Sequence, residues 1–119
     1  MTGESEIAVP TTAPSVSKKT DTSSYNQYYE LTFPEGYHEW IANISGVSVN
    51  GSSYNKKNST ADLSFSGNYC LDADNNKVGI SLPSYGDPFE VIFSVKGQPS
   101  LTLSISTPMF GNPTAEITN

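Results

Sequence analysis

Apolar and polar residues alternate through long stretches of the chain, and this period of two limits the fold more than any other feature. The clearest examples are PFEVIFSV at residues 88–95 and SLTLSIS at residues 100–106. Alternation of this kind is typical of a strand that buries one face and exposes the other, and it favours antiparallel sheets over buried parallel ones. The apolar face is predicted to carry Phe89, Val91, Phe93, Val95, Leu101, Leu103 and Ile105, with Ile92 on the opposite face.

Turn residues separate the alternating runs and predict hairpins. Lys-Gly-Gln-Pro joins the two strands above, and the polar run DADNN separates NYCLD from KVGISL. Asn50-Gly51 is the strongest short hairpin signal, because a type I′ turn needs positive φ at both central residues. Pairing across this turn would place Tyr54 opposite Val47. Further strands are predicted in YELTF and in ADLSF.

One segment has the spacing of a helix instead. Its apolar residues fall at i, i+3, i+4 and i+7, which is one helical face: Tyr37, Trp40, Ile41 and Ile44. We predict a short helix over residues 36–45, with Trp40 packed on the sheet. The predicted fold is mainly β, a small antiparallel β-sandwich-like (Ig-like) module with one short N-terminal helix.

The two ends of the chain differ in composition from its middle. Residues 1–24 are rich in Ser, Thr and Pro and nearly free of large apolar side chains, so they cannot bury enough surface to offset the entropy of ordering. We predict a disordered linker at 1–24, a β-rich binding module at 25–107, and a tail or the start of a next linker at 108–119. The opening lacks the charged and apolar regions of a signal peptide, so we expect Met1 to be an added initiator and the chain to derive from a longer exported protein.

The charge balance argues against several partners. The 119 residues include 6 Lys and Arg together and 12 Asp and Glu, a formal net charge of −6. Nucleic-acid binding needs clustered cations, so nucleic acid and anionic membranes are disfavoured. No stretch is long and apolar enough to span a bilayer. Cys70 is the single cysteine, which excludes an internal disulfide and favours a small buried side chain. We expect a monomer.

Residues that carry enzyme chemistry are sparse. His38 is the only histidine and lies beside Glu39 on the polar side of the predicted helix, without a recognisable nucleophile and orienting group. Asp72 and Asp74 fall in a predicted turn, where Asp is common for backbone reasons. The same turn resembles half a calcium loop but lacks the downstream glycine and the bidentate glutamate. We predict no enzyme, no cofactor and no metal, and calcium at residues 72–76 stays open as an alternative.

Tyrosine is the abundant binding-type residue, with seven copies. Tyr85 lies in the loop PSYGDP, whose composition favours exposure, and Asp87 is two residues further on. An exposed aromatic anchor with a polar rim suits protein interfaces, and exposed aromatic faces also suit sugars. We predict Tyr85, Asp87 and Tyr37 as ligand-binding residues, whereas Tyr29 and Tyr54 are interpreted as ordinary strand residues.

The stretch WIANISGVSVNGSSY at residues 40–54 resembles the haemoglobin-interacting domain family of Gram-positive cell-surface proteins, which includes a haem-uptake receptor. The pattern is Trp-Ile followed by Val-x-Val-Asn-Gly-x-x-Tyr, and the likeness extends over residues 30–106. The resemblance implies a non-enzymatic extracellular module of the cell surface or cell wall, with a host haem protein such as haemoglobin as its partner. The alternative is a carbohydrate-binding or structural spacer module of a modular surface enzyme or adhesin.

The haem group itself is not a predicted ligand. A related surface haem-binding family uses a Tyr-x-x-x-Tyr pair near its C-terminal end, whereas Tyr25 and Tyr29 lie near the N-terminal end here. The other axial donors, His38, Met109 and Cys70, have no recognisable pocket context. We therefore expect the isolated domain not to hold free haem tightly.

Overall fold

The computed structural model describes residues 7–63, 67–82, 88–108 and 110–118. Within these ranges the chain forms ten strands and one α-helix. In chain order they are β1 (Ser15–Thr20), β2 (Gln27–Thr32), α1 (His38–Ala42), β3 (Ile44–Val49), β4 (Ser52–Ser53), β5 (Asn55–Lys57), β6 (Asn68–Asp72), β7 (Lys77–Ile80), β8 (Phe89–Val95), β9 (Leu101–Ser106) and β10 (Thr114–Ile117). Short 3₁₀ turns lie at Thr60–Asp62 and Ala73–Asn75.

The strands form two sheets. The first sheet has the order β1-β2-β7-β6-β5, and the second has the order β10-β9-β8-β3-β4. Neighbouring strands run antiparallel, and among the described residues the one exception is β5, which runs parallel to β6. The prediction of a mainly β fold with largely antiparallel sheets is therefore confirmed.

One hydrophobic core receives side chains from both sheets. In β8 the even spacing holds along the whole strand, since Phe89, Val91, Phe93 and Val95 are buried and Ile92 is half-buried. Leu31, Val78 and Ile80 come from the first sheet, and Leu101, Leu103 and Ile105 come from β9. Burying each such side chain stabilises the fold by roughly 1.5–3 kcal/mol, and this explains why alternation predicts these strands well.

Helix α1 spans five residues inside the predicted range 36–45 and buries Trp40 and Ile41. Two strands precede it, so the N-terminal position predicted for the helix is not supported. The Trp40 ring lies edge-on to Phe33 and Phe93, with centroid distances of 5.4 and 5.7 Å. No helix in the described part of the chain is both long and apolar enough to cross a membrane.

The predicted hairpins are present. Asn50 and Gly51 have φ of 50° and 86°, and the Tyr54 N–H donates to the Val47 carbonyl at 2.8 Å. The turn after β6 ends at Asn76, also in the left-handed region, with φ of 57°. The β8–β9 turn contains Gly97 at φ 80°. Positive φ is inexpensive for Gly and for Asn, so these turns follow directly from the sequence.

Two strands lie outside the predicted module. β1 falls within the predicted linker 1–24, yet it pairs with β2 along its whole length, from Ser15 with Thr32 to Thr20 with Gln27. β10 falls within the predicted tail and pairs with β9. Both are edge strands that pair through backbone hydrogen bonds, and Val16 of β1 and Ala115 and Ile117 of β10 also pack against the core.

The strand predicted in ADLSF is wrong for its first residues, and its end lies outside the described residues. Thr60–Asp62 form a 3₁₀ turn instead, and the Ser59 hydroxyl accepts a hydrogen bond from the Ala61 N–H at 3.1 Å. Such local side-chain bonds compete with extended structure. Leu63 is nevertheless fully buried.

Candidate functional site

Of the three predicted ligand-binding residues, Tyr85 and Asp87 lie outside the described residues. Tyr37 immediately precedes α1, is half-buried, and packs against the core. Its hydroxyl accepts a long hydrogen bond, 3.5 Å, from the Thr11 N–H. The segment before β1 therefore partly covers Tyr37.

A different tyrosine is strongly exposed. Among the described residues, two large hydrophobic side chains stand out in solvent: Tyr25, 78% exposed, and Phe110, 87% exposed. Tyr25 lies in the connection between β1 and β2, and Phe110 in the connection between β9 and β10. Most large apolar side chains of the described chain are buried or half-buried.

The Asp21 carboxylate organises the loop that carries Tyr25. Its Oδ1 accepts hydrogen bonds from the Ser23 and Ser24 backbone N–H groups, both at 2.9 Å, and from the Ser23 hydroxyl at 2.7 Å. Its Oδ2 accepts from the Thr60 hydroxyl, far along the sequence. These bonds, with the Thr60 contribution largest, hold the pKa of Asp21 well below its usual range.

The loop is tied at several other points. The Tyr25 N–H donates to the Asp21 carbonyl and the Asp21 N–H donates to the Asn26 carbonyl, both at 2.9 Å. The Asn26 side-chain amide donates to the Ala61 carbonyl at 2.8 Å. We call residues 21–26 the Asp21 loop. It is fixed both to its own hairpin and to the Thr60–Asp62 turn.

This closure leaves Tyr25 in a strained backbone conformation. Its φ is 61°, which is left-handed and costs an ordinary L-residue roughly 1–2 kcal/mol. Gly or Asn would adopt the same conformation with less strain. The loop therefore holds a bulky aromatic side chain outward at a position where a smaller residue would fit more easily.

The described residues with reactive side chains differ in their exposure and in their hydrogen bonds. Cys70 is buried, as predicted, and burial raises the pKa of its thiol, which disfavours the nucleophilic thiolate. His38 is exposed on α1. Asp72 accepts hydrogen bonds from the Asn75 amide at 3.2 and 3.0 Å inside its own turn. No three His, Cys, Asp or Glu residues of the described chain are grouped to hold a metal ion.

A cleft of about 590 Å³ opens between β1 and the segment after β9. Ser17, Lys18, Tyr29 and Asn112 contribute to its lining. Lys18 is paired directly with Tyr29 across β1 and β2, so both lie on the face of the first sheet that looks toward the second. The cleft marks the edge of the two-sheet structure at which β1 approaches β10.

A comparison with known protein families shows the family of this module. The model of the haemoglobin-interacting domain of the family "Heme-binding protein Shr-like" matches residues 16–96. The chain belongs to this family. The family predicted from residues 40–54 is thus confirmed. No curated protein and no solved structure matches the chain.

The haemoglobin-interacting domain match covers most of the described fold. It begins within β1 and ends just after β8, so it includes the Asp21 loop, α1 and the Asn-Gly hairpin. β9, β10 and Phe110 lie beyond it. The Asp21 loop is not among the elements predicted from the sequence. A local signal for it is present, since an Asp with Ser two and three residues later favours an Asx turn.

Proposed function

We propose that this domain is a non-enzymatic, extracellular module that binds haemoglobin as part of a bacterial cell-surface or cell-wall protein. The observation that carries the proposal is the family match over residues 16–96, whose description names interaction with haemoglobin. The exposed Tyr25 on a fixed loop supports it, since protein interfaces are built around aromatic anchors within a polar rim. We further propose that the two sheets form an Ig-like sandwich and that the module acts as a monomer.

The sequence-predicted contacts remain part of this proposal. In the sequence, Tyr85 and Asp87 fall between β7 and β8, and we propose that they contact the partner. Tyr37 is proposed as a third contact through the part of its ring that stays accessible, because it is half-buried rather than covered. The domain limits at residues 24 and 108 also remain proposals, with strands β1 and β10 on their outer sides.

Binding of haemoglobin and binding of haem are separable in one experiment. The purified domain is titrated against haemoglobin by calorimetry, and haemin is titrated into the domain while the Soret band is recorded. We expect saturable binding of haemoglobin and no sharp Soret change at a stoichiometric amount of haemin. Absence of haemoglobin binding would refute the proposal. A strong Soret band lost in a single Tyr→Phe variant would make the module a haem carrier instead.

A carbohydrate-binding module is the second candidate. The cleft between β1 and the segment after β9 favours it, because Lys18 and Asn112, with ammonium and amide groups, line an opening of about 590 Å³. Small-ligand sites commonly have volumes of roughly 300–1,000 Å³. Saturable glycan binding that is lost in Lys18→Ala, together with no response to haemoglobin, would favour this candidate over the first.

A further inference from the structure

We propose that the Asp21 loop is a docking loop for haemoglobin, and that Tyr25 is the aromatic anchor of this contact. This inference rests on the proposed function and names a contact outside the predicted set of Tyr37, Tyr85 and Asp87. Its starting point is exposure. Tyr25 is 78% exposed, so nearly the whole ring is available to a partner.

The second argument is that Tyr25 has no evident role inside the domain. It is not among the residues packed against the hydrophobic core, and its backbone occupies a left-handed conformation that suits Gly or Asn better. An exposed aromatic side chain at a strained backbone position lowers the stability of the isolated domain. Strain of this kind is typical of positions that act on a ligand.

The third argument is that the loop is rigid before any partner binds. The Asp21 carboxylate fixes Ser23 and Ser24, and the Thr60 hydroxyl and the Asn26 amide fix the loop to the 3₁₀ turn. Binding is weakened when a loop must first be ordered, so an ordered loop improves affinity. Tyrosine adds contact area with few rotatable bonds to immobilise.

The surroundings of Tyr25 suit an interface. The hydroxyl groups of Ser23, Ser24 and Thr60 already bond to Asp21, so the rim is polar while the carboxylate is largely satisfied. An aromatic centre within a polar rim is the usual composition of a binding hot spot.

The test compares haemoglobin affinity across matched variants of the full 119-residue chain. Tyr25→Ala should weaken the Kd by about 30-fold or more, the effect of losing a hot spot. Tyr25→Phe keeps the ring, and loss of one hydroxyl bond should weaken the Kd by roughly 2- to 12-fold. Thr60→Val loosens the loop without touching Tyr25, and should weaken the Kd by roughly 3- to 10-fold. Phe110→Ala removes the other exposed ring and should leave the Kd within about twofold.

Thermal unfolding of each variant serves as the folding control. Tyr25→Ala should melt no lower than the parent, because the side chain is exposed, and only the affinity should change. If the parent chain fails to bind haemoglobin, the proposed function and this inference both fall. If the parent binds and Tyr25→Ala binds equally well, the inference is overturned and the function stands. Equal losses in Tyr25→Ala and Phe110→Ala would also overturn it, since they would indicate unspecific apolar contact.

Discussion

Replacing Trp40 tests whether the core is organised as the structure describes. The Trp40 side chain is 0% exposed and lies edge-on to Phe33 and Phe93. Trp→Ala in a well-packed core costs roughly 3–5 kcal/mol, because the apolar contacts are lost and a cavity remains. A domain of this size has a free energy of unfolding of roughly 5–15 kcal/mol. Trp40→Ala should therefore remove a large share of the stability.

A second replacement separates packing from hydrogen bonding at the same position. The buried Nε1 of Trp40 has no hydrogen-bond partner among the described residues, and leaving a buried donor unpaired costs roughly 1–3 kcal/mol. Trp40→Phe loses volume, yet it keeps a ring between Phe33 and Phe93 and removes that donor. The two effects oppose each other. We expect Trp40→Phe to lie within about 1.5 kcal/mol of the parent.

Urea unfolding followed by far-UV circular dichroism measures both variants. Fluorescence is unsuitable for the comparison, since Trp40 is the only tryptophan. Phe110→Ala, at an exposed site, is the control and should change the free energy of unfolding by at most about 0.5 kcal/mol. The reasoning fails if Trp40→Ala unfolds within about 1 kcal/mol of the parent. It also fails if Trp40→Phe is as damaging as Trp40→Ala.

Three further predictions concern the loop and the first sheet. Tyr25→Asn should raise the free energy of unfolding by about 1 kcal/mol, because Asn tolerates positive φ; a lower melting temperature would contradict the strain. The hydrogen bonds that lower the pKa of Asp21 stabilise the fold above the unfolded-state pKa of about 4. The melting temperature should therefore fall as the pH drops from 5 to 2, and it should fall less in Asp21→Asn. At residue 79, an added Cβ would lie 3.0 Å from the Cys70 Sγ, so Gly79→Ala should lower the free energy of unfolding by roughly 1–3 kcal/mol. Adding Cys70→Ala should recover part of that loss, and strict additivity of the two changes would refute the contact.

The sequence predicts well those elements that two independent local signals define. β8 and β9 combine strict alternation with the Gly97 turn, and the Asn50-Gly51 pair sets the register that brings Tyr54 to Val47. Local spacing also predicts the helix at Trp40. In each case the nearby sequence determines whether a residue is buried or exposed, so the local pattern is enough to predict the element.

The elements that escape prediction depend on distant partners. β1 has no apolar alternation, and its order comes from pairing with β2. The 3₁₀ turn at Thr60–Asp62 is bound to Asp21 and Asn26, some forty residues earlier in the chain. In the sequence, Tyr25 stands out only as one half of a Tyr-x-x-x-Tyr pair, because its exposure follows from these long-range bonds. Composition favours Tyr85 instead, which lies outside the described residues.

The chain passes from the second sheet to the first between β4 and β5, so the two sheets are connected differently along their two sides. The Tyr54 N–H donates to Val47 in the second sheet, and the next N–H, that of Asn55, donates to Gly67 beside β6 of the first. The covalent chain thus joins the sheets along this side, whereas β1 and β10, on the other side, are edge strands of different sheets. Amide protons should accordingly exchange with solvent along a gradient, fastest in β1 and β10 and slowest in β7 and β8. The two sheets would then begin to separate where β1 approaches β10.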